Sequence, residues 1–490
     1  MRPRPRPLPV VVAAVAVAAV TTAGWVSACA TTGPAPPPGL SPTRALSPAL
    51  AHDAYVWQRA WTPAVRRAVL AHGPAFRRLV VLAAEVAWPR QGEPRVARAQ
   101  VDYATLRRAV ARAGGRLRVG LALRVGPWTA ARQPHAQAGR ALAALAARAL
   151  ARARAAGVEP AELHVDYDAP TAGLAAYAAW LRQLRPRLGG VPLTITALPA
   201  WLDSPDLPAL LATTDGWVLQ VHSLVRPRGP DDLPPLTDPA RARQWVARAA
   251  RLSAAQARAT GRPLPLRVAL PTYGYEVGFR PDGALLGLRA EAPLFLRGLP
   301  GQRWPPGTRV RALRADAPAL SHLVRAWSRE RAAGHLAALA GVAWYRLPVA
   351  TDRLTWRWIT LRAVLAGRPV APRVVAALTP ASHDARLVDL VAHNDGLADG
   401  ALPARLVVTA PASGPSPVLF AEALAGYELA PPTARTRRRW VFRRTPAGAA
   451  ERLAPKARRR VGWLRLQPGR DRDALRLEPA ASTPGDPHAP

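Results

Sequence analysis

The 490-residue chain has one cysteine, one methionine and, at Lys456, a single lysine. One cysteine excludes a disulfide framework and any cysteine-based metal site. Acidic residues are also scarce: Asp+Glu 31 stand against Lys+Arg 68, a formal net charge of +37 at pH 7 that is almost wholly arginine. Such a surplus suits nucleic acid, anionic lipid or acidic polysaccharide. The arginines, however, are scattered along helix faces and never gather into a basic arm. The clusters Arg437–Arg439 and Arg458–Arg460 are short and turn-like, with no aromatic-interleaved module, so no nucleic-acid partner is expected. Ala, Arg, Pro and Gly, the residues of G+C-rich codons, dominate everywhere, and codon composition accounts for most of the charge. No His-x-His or His-x-x-x-His pair has acidic support, so neither a metal nor another cofactor is expected.

What is present is an ordinary globular composition, 49% hydrophobic and 20% charged, over a length that calls for a large barrel or sandwich plus something smaller. The cysteine is explained by its place. Arg2, Arg4 and Arg6 form a basic n-region, and Val10 to Val20 is an apolar stretch too short to span a bilayer comfortably. Val26-Ser27-Ala28-Cys29 resembles a bacterial lipobox, with Val at the first position in place of the commoner Leu, and a Pro/Thr/Ser-rich tether from Thr31 to Pro48 follows. Residues 1–28 therefore read as a signal peptide and 29–48 as a lipoprotein tether. Cys29 is expected to be lipidated and to hold an exported protein to the bacterial envelope, on its periplasmic or surface face. The alternative is a plain signal peptide cleaved after an Ala-x-Ala-like site.

From Ala54 onward, short β-branched runs alternate with Ala/Leu/Arg-rich helical stretches, the pattern of a parallel sheet with crossover helices. The strand candidates are Ala54–Arg59, Leu79–Trp88, Leu117–Val125, Glu162–Asp168, Leu193–Leu198, Gly216–Ser223, Leu266–Tyr273 and Gly341–Leu347, with helix caps at Thr62, Thr171 and Asp238. This predicts a (β/α)8 TIM barrel over 49–371, with a Gly/Pro/Arg-rich insertion, Gly278–Pro318, hanging over one mouth. Residues 372–477 read as a small β-sandwich and 478–490 as a disordered tail.

In such a barrel, chemistry sits at the carboxyl ends of the strands. In Leu163-His164-Val165-Asp166-Tyr167-Asp168, period-two alternation sends His164, Asp166 and Asp168 to one face, toward the lumen. Two carboxylates so close raise one pKa and prepare it as a general acid, unless they cap the next helix or bond a neighbouring strand. Glu85 would be buried, either as a third catalytic carboxyl or as a partner for Arg59 or Arg124. Trp57, Arg59, Trp88, Trp201, Gln220, His222, Tyr273, Tyr275, Glu276, Trp344 and Arg346 fall at or just past strand ends, where aromatics suit the C–H faces of sugars and polar groups their hydroxyls.

These residues carry a resemblance. Val165-Asp166-Tyr167-Asp168 is similar to the end of the Asp-x-x-Asp-x-Asp-x-Glu signature of chitinase-like glycoside hydrolases of family 18. Pro271-Thr272-Tyr273-Gly274 is similar to that family's Pro-x-Tyr-Gly segment, and Gly341-Val342-Ala343-Trp344 resembles the strand carrying its floor tryptophan. The whole chain more closely resembles the bacterial domain-of-unknown-function 3142 family, through Ala54-Tyr55-Val56-Trp57-Gln58-Arg59, Val165-Asp166-Tyr167-Asp168 with Pro170-Thr171, Ile195-Thr196-Ala197-Leu198-Pro199 and Val461-Gly462-Trp463-Leu464. The chitinase resemblance implies Asp168 as the acid and Asp166 as the residue orienting an N-acetyl group that acts as nucleophile. The chain departs from that pattern: Asp168 stands where the family has Glu, His164 where it has Asp, and strand six reads Gln220-Val221-His222-Ser223 rather than Met-x-Tyr-Asp. Pairing of Asp168 with Glu85 or Glu276 in another glycosidase mechanism stays open. Two functions follow: an envelope-anchored glycoside hydrolase acting on a polysaccharide or amino-sugar glycan, or a catalytically inactive barrel binding glycan or an envelope protein. The sequence does not give the oligomeric state.

Overall fold

A computed structural model describes residues 50–87, 95–126, 135–290, 304–412, 415–424, 426–431, 438–449, 451–469 and 472–478. The leader, Cys29, the tether, Trp88 and the tail beyond 478 lie outside the described residues.

Eight parallel strands, Ala51–Val56, Arg78–Ala87, Arg118–Val125, Pro160–Tyr167, Leu193–Ala197, Gly216–Gln220, Leu266–Pro271 and Leu339–Tyr345, pair in sequence order. The first pairs with both the second and the eighth, so the sheet closes into a barrel. Each strand is followed by a helix, in order Pro63–His72, Tyr103–Arg112, His135–Ala155, Leu174–Leu184, Leu207–Leu211, Pro239–Thr260, Ala317–Ala332 and Trp358–Leu365. The helix starts follow from local chemistry. Thr62 accepts from the Val65 amide, and Asp238 accepts from the Ala240 and Arg241 amides. Thr171 does not cap: Thr171–Gly173 forms a 3-10 turn whose start has no side-chain cap, and the helix begins only at Leu174. Pro170 ahead of that turn already fixes the extended entry that a cap would have to hold.

Period-two alternation sorts the strand residues between two surroundings. Ala54, Val56, Leu79, Val81, Leu163, Val165, Leu193, Ile195 and Trp344 join the large core between strands and helices. Tyr55, Trp57, Val80, Leu82, Ala122, Val218, Ala269 and Ala343 form a separate cluster inside the barrel. The amino-terminal end of the lumen is ionic. Arg267 donates to Asp53 (2.7 Å) and to Glu162 (2.7 and 3.0 Å), Arg78 donates to Glu162 (2.9 Å), and the Thr194 hydroxyl also donates to Glu162 (3.0 Å). Burial alone would raise the Glu162 carboxyl, but Arg267 and Arg78 hold it at about 2. Gly120 makes room for this cluster, since a Cβ there would meet Glu162 Cγ at 2.8 Å.

The insertion after the seventh strand is an antiparallel sheet of Gly274–Phe279 between Leu285–Ala290 and Arg309–Arg314. Beyond the barrel, strands Val374–Ala381, Asp384–Asn394, Arg458–Leu466 and Val418–Ala423 form one four-stranded antiparallel sheet. Tyr427–Leu429, Arg439–Arg444, Arg405–Thr409 and Arg476–Leu477 form another. Both contribute to one core, with Val388, Leu390, Val461 and Leu464 from the first sheet and Leu406, Val408 and Phe442 from the second. Gly462 permits the approach, because a Cβ there would meet the Phe442 ring at 2.5 Å.

Removing one partner from the lumen cluster strands a buried charge. Arg267→Met is expected to destabilise the protein by about 3–5 kcal/mol in chemical denaturation. Loss below about 1 kcal/mol would show that the cluster contributes no more than a surface ion pair.

Candidate functional site

The carboxyl end of the lumen is built from the same strand faces, further along each strand. Glu162, His164 and Asp166 share the inward face of the fourth strand, and Asp168 lies just past its end. Arg124 on the third strand is the register partner of Asp166. Its guanidinium donates to both aspartates, through Nη1 to Asp166 Oδ2 (2.6 Å) and Nη2 to Asp168 Oδ2 (2.7 Å). The two carboxyls differ in setting: the Asp166 side chain is 10% exposed and that of Asp168 42%. Desolvation would raise Asp166, yet Arg124 outweighs it and holds this carboxyl below the ordinary carboxylate range. At Asp168 desolvation wins, opposed by Arg124 and aided by the negative charge of Asp166, so this carboxyl lies above that range. One carboxylate thus stays ionised while its neighbour takes up a proton more readily.

A polar chain fixes Asp166 from beneath. The Tyr55 hydroxyl lies 3.5 Å from His164 Nδ1, and His164 Nε2 lies 2.8 Å from Thr196 Oγ1. The Thr196 hydroxyl also bonds the Asp166 carboxylate, which can only accept. The order is then set: Thr196 donates to Asp166, His164 Nε2–H donates to Thr196, and Nδ1 accepts from Tyr55. Burial holds His164 at about 4, so the ring is neutral as this order requires.

Glu85 is paired with Arg59, one of the two partners expected from the sequence. Arg59 clamps both of its oxygens, Nε to Oε2 at 2.6 Å and Nη2 to Oε1 at 2.5 Å, with both side chains buried. Arg346 is likewise held by Asp352 (2.6 Å), whose other oxygen accepts from the Val349 amide (2.9 Å).

The aromatic wall centres on Tyr345. Its ring lies 5.8 Å from Tyr55, 5.3 Å from Trp57, 5.8 Å from His222 and 5.3 Å from Tyr273. The Tyr273 hydroxyl gathers His222 Nδ1 (3.2 Å), Ser223 Oγ (2.5 Å) and the Tyr275 hydroxyl (3.2 Å). Gln220 closes the turn by donating to the His222 carbonyl (3.3 Å). Burial holds the His222 ring at about 3, and its Nε2 has no hydrogen-bond partner among the described residues.

Three expected site residues lie elsewhere. Trp344 faces the helix layer, where its indole donates to His52 (3.2 Å) and packs on Trp356. Alternation therefore gives the lumen to Tyr345. Trp201 is buried against Tyr177 and donates to the Ala169 carbonyl (3.1 Å), so it anchors a loop rather than a ligand. Glu276 belongs to the insertion sheet, where it accepts from Trp304 (3.2 Å), whose ring lies beneath Arg289. Trp88 lies outside the described residues. Sequence reading placed Arg124 only as a partner for Glu85. The usable signal was its position in an apolar strand run with the inward parity of Ala122.

The buried neutral histidines make a sign prediction. An unfolded histidine titrates near 6.5, whereas His52 and His164 are held at about 4 and His222 at about 3. Below pH 6.5 the unfolded chain takes up protons that the folded one refuses. Stability is therefore complete above that pH and falls as pH drops toward 4. Thermal unfolding is expected to show this fall, and His222→Gln to flatten it. A melting temperature constant from pH 7 to 4.5 would contradict the assignment.

Among solved structures the chain is similar to the spore cortex-lytic enzyme SleL of Bacillus cereus, with TM-score 0.42 and 13% identity over 65% of this chain and 74% of that one. It is similar to a chitinase from Chromobacterium violaceum, with TM-score 0.42 and 16% identity over 65% and 99%. It is also similar to a class V chitinase from Nicotiana tobaccum in complex with NAG4, with TM-score 0.39 and 14% identity over 65% and 98%. No curated protein matches the chain. Residues 377–467 match a family described as Domain of unknown function (DUF8456). Residues 131–350, which hold the Val165–Asp168 and Ile195–Pro199 pieces of the resemblance, match the family described as Domain of unknown function (DUF3142), whereas Val461–Leu464 lies in the segment matched by DUF8456.

Proposed function

We propose that this barrel is a glycoside hydrolase acting on a polysaccharide or amino-sugar glycan of the bacterial envelope. The observation that carries the reading is the pair Asp166 and Asp168, split in proton affinity by one shared guanidinium at the mouth of an aromatic-walled lumen. Asp168, the more exposed and more readily protonated, donates a proton to the glycosidic oxygen. Asp166, ionised and fixed by Thr196 and Arg124, orients or stabilises the positive centre that develops as the bond breaks. Trp57, Tyr345, Tyr273 and Tyr275 offer ring faces and hydroxyls to the sugar. Glu85 and Arg346 shape the mouth through their ion pairs.

A second reading has its own support. Both aspartates are already engaged by Arg124, and Asp168 is a shorter acid than the Glu of chitinase-like sites, which favours a barrel that binds glycan without cutting it. The two readings separate on one experiment. Purified protein is incubated with β-linked oligosaccharides and peptidoglycan, and products are followed by chromatography beside Asp168→Asn. Hydrolysis reduced by about 100-fold or more in the variant supports the enzyme. Binding without product from any substrate, unchanged in the variant, leaves the inactive barrel.

The two C-terminal sheets, sharing one core, form a β-sandwich in this reading. Cys29 carries a lipid that keeps the protein at the envelope. Cys29→Ser is expected to move the protein from the detergent-extracted membrane fraction to the soluble one, and unchanged membrane association would refute the anchor.

A further inference from the structure

The sheet formed by Val374–Ala381, Asp384–Asn394, Arg458–Leu466 and Val418–Ala423 has one face in the C-terminal core. Its other face carries an unusual group for a small surface. On the edge strand Phe420 is 52% exposed and its neighbour Leu419 is 64% exposed. Phe420 lies 5.4 Å from the half-buried Trp463 of the adjacent strand, with the rings tilted by 40°. Alternation explains why they meet: Phe420 and Glu422 point outward on one strand, Trp463 and Arg465 on the next, and the register pairs Phe420 with Arg465 and Glu422 with Trp463. The same row continues to Asp389, the register partner of Trp463 on the following strand. The polar groups are held in place, since the Trp463 indole donates to Glu422 (2.9 Å) and Arg460 donates to Asp389 (3.4 Å).

We infer that this face is a second glycan-binding site, separate from the barrel, on which a sugar ring lies against Phe420 and Trp463 while Glu422, Asp389 and Arg465 bond its hydroxyls. The chemistry selects a neutral polyhydroxylated ligand. Two adjacent rings give a flat apolar platform of the size of one or two pyranose C–H faces. Carboxylates and guanidiniums alternate around it, so it matches neither a polyanion nor a polycation, and the acids oppose both phosphate backbones and anionic lipid headgroups. A protein partner would need a contiguous apolar patch of several hundred Å², whereas here charged side chains begin directly beside the rings. The inference uses no barrel residue and stands even if the barrel proves inactive.

The test is sedimentation binding of the full-length, detergent-solubilised protein to peptidoglycan sacculi and to chitin particles, with anionic and neutral phospholipid vesicles as controls. Phe420→Ala, Trp463→Ala and the ring-preserving Phe420→Tyr are compared with the parent. Phe420 sits half-exposed on an edge strand, so its truncation leaves the core intact, and an unchanged melting temperature verifies this. The expected result is binding to at least one glycan, weakened about tenfold or more by Phe420→Ala and by Trp463→Ala, and largely kept in Phe420→Tyr. Glycan binding that survives both alanine variants, binding to vesicles alone, or no binding to either glycan would each overturn the proposal. A result in which this site binds and the barrel hydrolyses nothing would separate the two assignments.

Discussion

Closing a parallel sheet on itself leaves an interior that water scarcely enters, so every charge the strands send inward must be met by another. This constraint organises the barrel from end to end. At the amino end, Arg267 and Arg78 answer Asp53 and Glu162. At the carboxyl end, Arg59 answers Glu85, Arg346 answers Asp352, and Arg124 answers Asp166 and Asp168 together. In the last group one cation faces two acids.

The arginine surplus takes on a different meaning in this light. Among the described residues few arginines are buried, and those inside the barrel act as fixed forks, each matched to a carboxylate in a geometry that lysine does not reproduce. In Arg124 the fork spans two residues of one strand end. Its two arms hold Asp166 and Asp168 in unequal surroundings, one enclosed and bonded by Thr196, the other opening toward solvent. Inequality of this kind is what acid–base chemistry at neutral pH requires.

Much of the barrel was legible because alternation and helix periodicity are local. The strand candidates fall on the eight observed strands, within a few residues at their ends, and the inward face of the fourth strand was correctly read from its period of two. What failed was parity where a strand meets a loop. At the eighth strand the more conspicuous tryptophan drew attention, yet Trp344 and Tyr345 necessarily face opposite ways, and the lumen took the tyrosine. Trp201 and Glu276 lay past their strand ends, where alternation no longer fixes direction. The ionic floor went unseen because each of its members looks unremarkable alone. Only the closure of the sheet brings Asp53, Arg78, Glu162 and Arg267 together across long stretches of sequence. In the C-terminal region Val374–Ala381 and Val418–Ala423 were missed, the first interrupted by Pro380 and the second an edge strand with exposed apolar residues.

One guanidinium separates the proton affinities of two neighbouring aspartates at the mouth. The most direct measurement is a carbon-13 NMR titration of the aspartate side-chain carboxyls, assigned with Asp166→Asn and Asp168→Asn. Asp168 is expected to titrate above the ordinary aspartate range and Asp166 below it, with the gap narrowing in Arg124→Met. Two carboxyls titrating together in the ordinary range, indifferent to the loss of Arg124, would contradict it.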